Sequence, residues 1–224
     1  LQKESNKLLD MIEQYPNKNC EVSVITNLMY PKEILENYIS KVKTLIANRK
    51  IKRFDITCSI DCWGPEGQYV RHGLDLERWQ SNFERLLKEP WLTININQTV
   101  SVLTVKTMPA LLKKLKEWRK QHAIGQWFSE VSPGPEYMKL KMFGNQGEFD
   151  QAIKEIAELL PKETEQDKLS FDYMKDIFAS AMTHELDQKQ INNLIVYLNE
   201  KDRRRNTNWR LLFPWLEKYE KAKY

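Results

Sequence analysis

The chain has 224 residues, 41% hydrophobic, 29% charged and 11% aromatic, enough apolar material for one good-sized core and a profile that excludes disordered and fibrous classes. Its 35 basic and 31 acidic side chains leave a formal charge of +4, a surplus too small to dedicate it to nucleic-acid phosphates. Three cysteines, Cys20, Cys58 and Cys62, are sparse and odd in number, which argues against a secreted disulfide scaffold and for a reducing compartment, so a cytoplasmic protein is expected.

No apolar run approaches the ~20 residues of a membrane span, so no membrane partner is expected. The opening LQKESNKLL reads as an amphipathic helix without the arrangement of a signal peptide. Because it starts with Leu, the true N-terminus is expected upstream. Residues 4–14 place Leu8, Leu9 and Ile12 on one helical face, and Pro16 breaks the pattern ahead of the β-branched strand EVSVITN. Pro31 opens a helix whose Ile34, Leu35, Tyr38, Ile39, Val42, Leu45 and Ile46 recur at helical spacing. RFDITCSID is the second strand, and WGPEGQYVRHG reads as a Gly-Pro-Gly loop.

A helix over 75–87 follows, then the strand WLTININQTVSVLT, a helix from Met108 to about His122, and the strand QWFSEVS running into the Pro/Gly loop SPGPEYM. Residues 148–160 and 171–198 read as helices. Strands alternating with helices of this length require crossover connections, which give an α/β fold with parallel strands, either a partial (β/α) barrel or an open sheet. Residues 1–160 are assigned to it and 161–224 to a helical C-terminal extension.

Ligands in parallel α/β folds bind at the carboxyl ends of the strands. There this sequence places Thr26 and Asn27, then Ser59, Ile60 and Asp61, then Asn95, Asn97, Gln98 and Thr99, and finally Ser129 and Glu130. Each taken singly reads as a cap or a turn residue. The recurrence on every strand, with amides inside an otherwise apolar run, points to a ligand floor.

The order TN, SID, a Gly-containing loop and YVRHGLDLERWQSNFERLL, with the closing YLNEKDRRRNTNWRLLFPWLEKY, resembles radical SAM proteins of the group with a shortened C-terminal "twitch" region. In that family a Gly-Gly-Glu-Pro motif lies just before a helix like LQKESNKLLDMIE, which would put this chain's start just after it. The resemblance covers most of the chain. It implies S-adenosylmethionine as cofactor, with Asn27 and Ser59 toward its ribose and methionine portions, Arg71 on the methionine carboxylate, Asn97 and Thr99 near the adenine or the substrate, Ser132, Pro133 and Gly134 along the purine edge, and Thr26 and Asp61 also among the cofactor-binding residues. A guanidinium suits a carboxylate on its own chemistry, since it can make two parallel charge-assisted bonds.

The sequence departs from the family by lacking the C-x3-C-x2-C loop that holds a [4Fe-4S] cluster. Cys58 reads as a buried core thiol, and no metal ligands are assigned. Radical chemistry, an unknown peptide or small-molecule substrate and an electron donor are therefore expectations for an intact enzyme that supplies the cluster. His72, His122 and His184 lack zinc spacing. Asp61 with Glu130 is a minor acid/base alternative. The rival reading is a non-catalytic module in which Arg203, Arg204, Arg205, Trp209 and Arg210 contact nucleic acid or a protein, against a bland one in which they form a solvated helix end.

Overall fold

The computed structural model describes residues 3–131 and 134–220. In chain order it comprises α1 (Lys3–Gln14), β1 (Glu21–Thr26), α2 (Lys32–Ala47), β2 (Arg53–Ser59), α3 (Pro65–Val70), α4 (Leu76–Leu86), β3 (Thr93–Val100), α5 (Met108–Trp118), β4 (Ile124–Glu130), α6 (Asp150–Leu159), α7 (Glu165–Met182), α8 (Gln188–Arg205) and α9 (Trp209–Leu212), with 3₁₀ turns at Glu136–Met138, Leu140–Phe143 and Pro214–Tyr219. The fold is α/β, as the alternation of periods leads one to expect. The four strands form one sheet in the order β1-β2-β3-β4, and the β1–β2 and β2–β3 pairings are parallel.

Two compact units divide the chain. One runs to Ser59 and takes in Leu74–Asn97 and Glu117–Gly125; the other comprises Ile60–Gly73, Gln98–Lys116 and the chain from Gln126 onward. In the first unit the side chains of β2 and β3 alternate strictly. Phe54, Ile56, Cys58, Ile94 and Ile96 are buried. Tyr38 of α2 meets Phe54 edge-on, with ring centroids 6.0 Å apart. Trp79 and Phe83 of α4 stack at 4.8 Å, and Trp118 lies 4.9 Å from Phe83. These rings are fully or nearly fully buried, and each removes a large apolar area from water.

The opposite face of these strands carries Asp55, Thr57, Ser59, Thr93, Asn95 and Asn97, and Ser23 and Ile25 continue it on β1, none of them buried. Parallel strands are ordinarily apolar on both faces because helices cover both. This polar face follows directly from the period-2 run TININQT.

The second unit is tied together by polar hubs. Glu148 accepts from Lys106, from Lys218 at 2.5 Å and from the Tyr219 hydroxyl at 3.1 Å. Around it Phe143, Phe149 and Trp215 meet edge to face at centroid distances of 5.4–5.5 Å. Burial alone would raise the Glu148 carboxyl, but the Lys106 and Lys218 ammonium groups outweigh it and hold the carboxyl below its usual range. Gln126 donates to the Gln98 side chain, and the Ser170 hydroxyl of α7 donates to the Gln126 carbonyl at 2.6 Å. The buried amides inside the apolar runs thereby gain the partners that burial demands.

Three elements differ from the sequence expectation. The Gly-Pro-Gly loop contains α3, which Pro65 opens at its first turn after Gly64, whose φ of 127° favours glycine. β3 ends at Val100, and the Thr104 hydroxyl accepts from the Ser101 amide at 3.0 Å to form a turn where strand was expected. The single helix expected over 171–198 is two. Thr164 and Asp167 form a capping box that starts α7 earlier, and the Asp187 side chain accepts from Gln190 N–H to start α8.

Candidate ligand-binding residues

Of the residues singled out at the strand ends, Thr26, Asn27, Ser59 and Asn97 belong to the first unit. The buried Thr26 hydroxyl accepts from Leu28 N–H at 2.9 Å, and the Asn27 side-chain oxygen accepts from Met29 N–H at 3.3 Å. Both perform the turn-forming role that Thr and Asn serve where a strand gives way to a helix. Leu28, at φ 59°, sits in the left-handed region and is fully buried. Asn82 of α4 holds this turn, its Nδ2 donating to the carbonyls of Leu28 and Tyr30 at 2.9 Å each.

Ser59 and Asn97 are register partners at the carboxyl ends of β2 and β3, and Thr57 and Asn95 are the pair one step before them. Among the described residues, the side chains of Thr57, Ser59, Asn95 and Asn97 make no hydrogen bond, and all four are partly exposed. Gly125 belongs with this group. A Cβ there would lie 2.1 Å from Asn95 Oδ1, so the missing side chain leaves Asn95 its space. The result is two rungs of hydroxyl and carboxamide groups, each with donors and acceptors to offer.

Asp61, Arg71 and Thr99 belong to the second unit, where they are joined to one another. Arg71 donates from Nε to Asp61 Oδ2 at 2.6 Å and from Nη2 to Oδ1 at 2.8 Å, and Thr99 N–H donates to Oδ1 at 2.8 Å. Gln98 Nε2 donates to the Asp61 carbonyl at 3.3 Å. The two-pronged carboxylate grip expected of Arg71 is thus realised inside the protein, on Asp61, and its Nη1 makes no hydrogen bond among the described residues. With both oxygens of Asp61 engaged, its pairing with Glu130 as acid and base gains no support from the geometry. Ser132 and Pro133 lie outside the described residues, and Gly134 is exposed.

Cys58 and Cys62 are fully buried, and burial pushes both thiols up, that of Cys62 to about 12; such thiols are inert at neutral pH. His122 contacts the carbonyls of Ala123 and Glu89, and His184 that of Ser180. Among the described residues, no group of three or more His, Cys, Asp or Glu side chains is placed to hold a metal ion.

At the basic C-terminal segment, Glu200 pairs with Arg203 at 2.7 Å and with Arg204 at 2.6 Å, and the Arg203 and Arg204 hydrogen bonds hold its carboxyl down at about 2. Arg210 pairs with Glu220 at 2.7 Å and stacks 4.3 Å from the ring of Trp209. Trp209 itself is fully buried, its Nε1 donating to Asn199 at 2.9 Å, so its ring is not open to a nucleic-acid base. What sequence reading passed over is Lys201, which a KDRRR context presents as one more solvated cation but which is 7% exposed.

No family model matches this chain, and neither a curated protein nor a solved structure matches it. The functional reading therefore rests on the residues themselves.

Proposed function

We propose that this chain is the ligand-binding side of a partial (β/α) barrel of the radical SAM kind, taking S-adenosylmethionine on the polar face of its sheet. The observation that carries the reading is the face of Thr57, Ser59, Asn95 and Asn97, half-exposed and without hydrogen-bond partners among the described residues. Two features support it. The strands stand in strictly sequential order, as in a barrel, where the right-handed crossovers usual for parallel units put the connecting helices on one side, whereas a doubly wound sheet reverses its order and covers both sides. The partly exposed polar groups at the carboxyl ends of β2 and β3 are then open to a ligand.

In this reading Ser59 and Asn97 hydrogen-bond the ribose or amino-acid portion of the nucleotide, and Asn95 with Thr57 forms the floor beneath. Thr26, Asn27 and Asn82 shape the loop after β1 and act through the backbone. Arg71 belongs to the other unit, where its guanidinium is held by Asp61, and this reading does not use it. The described residues do not fit a [4Fe-4S] cluster, so the cluster and the electron donor of such an enzyme would be supplied from outside them, and its peptide or small-molecule substrate would meet the same open face.

The test is calorimetric titration of the chain with S-adenosylmethionine. Ser59→Ala and Asn97→Leu should each weaken binding by about 2–12-fold, the effect of one neutral hydrogen bond worth about 0.5–1.5 kcal/mol, while Arg203→Ala leaves it unchanged. Absence of binding to the folded chain at millimolar nucleotide would sink the proposal, as would equal affinity in Asn97→Leu.

A further inference from the structure

The second unit contains an open cavity of about 520 Å³ lined by α8 and by Tyr137, within the size range of small-molecule sites. Lys201 lies on its wall, 7% exposed, with its ammonium 4.2 Å from the ring centroid of Tyr69 and 5.8 Å from that of Tyr197. Among the described residues no carboxylate pairs with it. Its neighbour Asp202 is already committed, accepting from the Tyr69 hydroxyl at 3.0 Å, the Thr207 hydroxyl at 2.6 Å and Trp209 N–H at 2.7 Å. Arg205, one turn further along α8, also lines the cavity and makes no ion pair among the described residues, whereas Arg204 is held by Glu200.

A cation withdrawn from water without an anion is costly, and the faces of two tyrosines offset only part of that cost. The rest of the lining is Tyr137, Tyr197 and Val196 with the polar Asn193, Arg204 and Glu200, and the Glu200 carboxylate is neutralised by Arg203 and Arg204. Tyr137 and Tyr197 lie against each other with centroids 5.6 Å apart and planes inclined by 36°, and Val196 is 67% exposed at their edge. Lys201 and Arg205 are thus unneutralised positive charges at one end of an aromatic shelf.

We propose that this cavity binds a small ligand that joins a planar aromatic ring to an anionic group, carboxylate or phosphate. The ring packs on Tyr197 and Tyr137, and the anion seats between Lys201 and Arg205. Burial, with Arg205 alongside, brings the Lys201 ammonium down to about 8; an entering anion would restore it toward its ordinary value. The site uses no residue of the polar sheet face and stands independently of the S-adenosylmethionine reading.

Phenyl phosphate, benzoate and the uncharged benzyl alcohol, titrated separately into the whole chain and followed by calorimetry, test this. At least one anion should bind one-to-one and about tenfold or more tightly than benzyl alcohol, the factor expected of a single charge-assisted contact. Preference between the two anions assigns phosphate or carboxylate. Lys201→Met should lose about tenfold or more of that affinity and Lys201→Arg should retain most of it, since Arg keeps the charge. The exposed Arg205→Gln provides the same loss in a variant that burial does not threaten. Equal binding of benzyl alcohol, no binding of either anion, or unchanged affinity in Arg205→Gln would overturn the proposal.

Discussion

Asp61 and Arg71 stand ten residues apart on either side of a short helix, and their pairing closes that helix onto the end of β3 through Thr99 N–H. Arg71→Ala should therefore lower stability by about 1–3 kcal/mol, the cost of a buried group left without its partner. The loss should stay below that of a wholly buried pair because the Arg71 side chain keeps 30% of its exposure. Urea midpoints measure this, and an unchanged midpoint would mean that the pair contributes nothing. Lys201 makes a prediction about pH. Its folded ammonium releases its proton near 8 while the unfolded one holds it to about 10.5, so between those values the unfolded chain binds more protons and stability rises with pH. Below pH 8 both states are charged and the slope vanishes. Tyr69, whose hydroxyl burial pushes up, acts in the opposite sense above pH 10, so the comparison is best made from pH 7 to 9.5. The stability of the parent relative to Lys201→Met should climb across that window, and a flat difference would contradict the buried, unneutralised charge. The sequence shows neither case. Asp61 and Arg71 read as separate ligand groups because nothing local says that a loop brings them together, and Lys201 looks solvated because its tyrosine neighbour Tyr69 is more than a hundred residues away in the chain.

At the scale of elements, the loop after β1 depends on a residue from another helix. Asn82 is 3% exposed and satisfies two carbonyls beside the left-handed Leu28. Asn82→Ala should cost about 1–3 kcal/mol for acceptors left unpaired in the interior, read as a lower melting temperature; a variant as stable as the parent would show that the loop holds itself. Elements whose pattern is carried by side-chain periodicity were legible: the strand alternation through Phe54, Ile56 and Cys58, the amphipathic α2 and α4, and the polar rungs of TININQT. Elements defined by local hydrogen bonds were not. The Pro65 helix start looks like a loop because Gly and Pro flank it, and the break between α7 and α8 is set by the Asp187 cap inside a continuous apolar period.

Across the whole molecule, a sheet in sequential strand order combines with a face that no buried apolar side chain of β2 or β3 occupies. The period-2 polar residues of the sequence made the polar face legible but not the strand order, and the two together are the basis of the proposal that a nucleotide binds there. No helix among the described residues is long and apolar enough to cross a membrane. The most direct measurement is hydrogen–deuterium exchange of the chain with and without millimolar S-adenosylmethionine. Binding on the polar face should slow exchange in peptides covering residues 53–59 and 93–97 and leave those covering 188–205 unaffected. Unchanged exchange at the ends of β2 and β3, or protection confined to α8, would contradict the account.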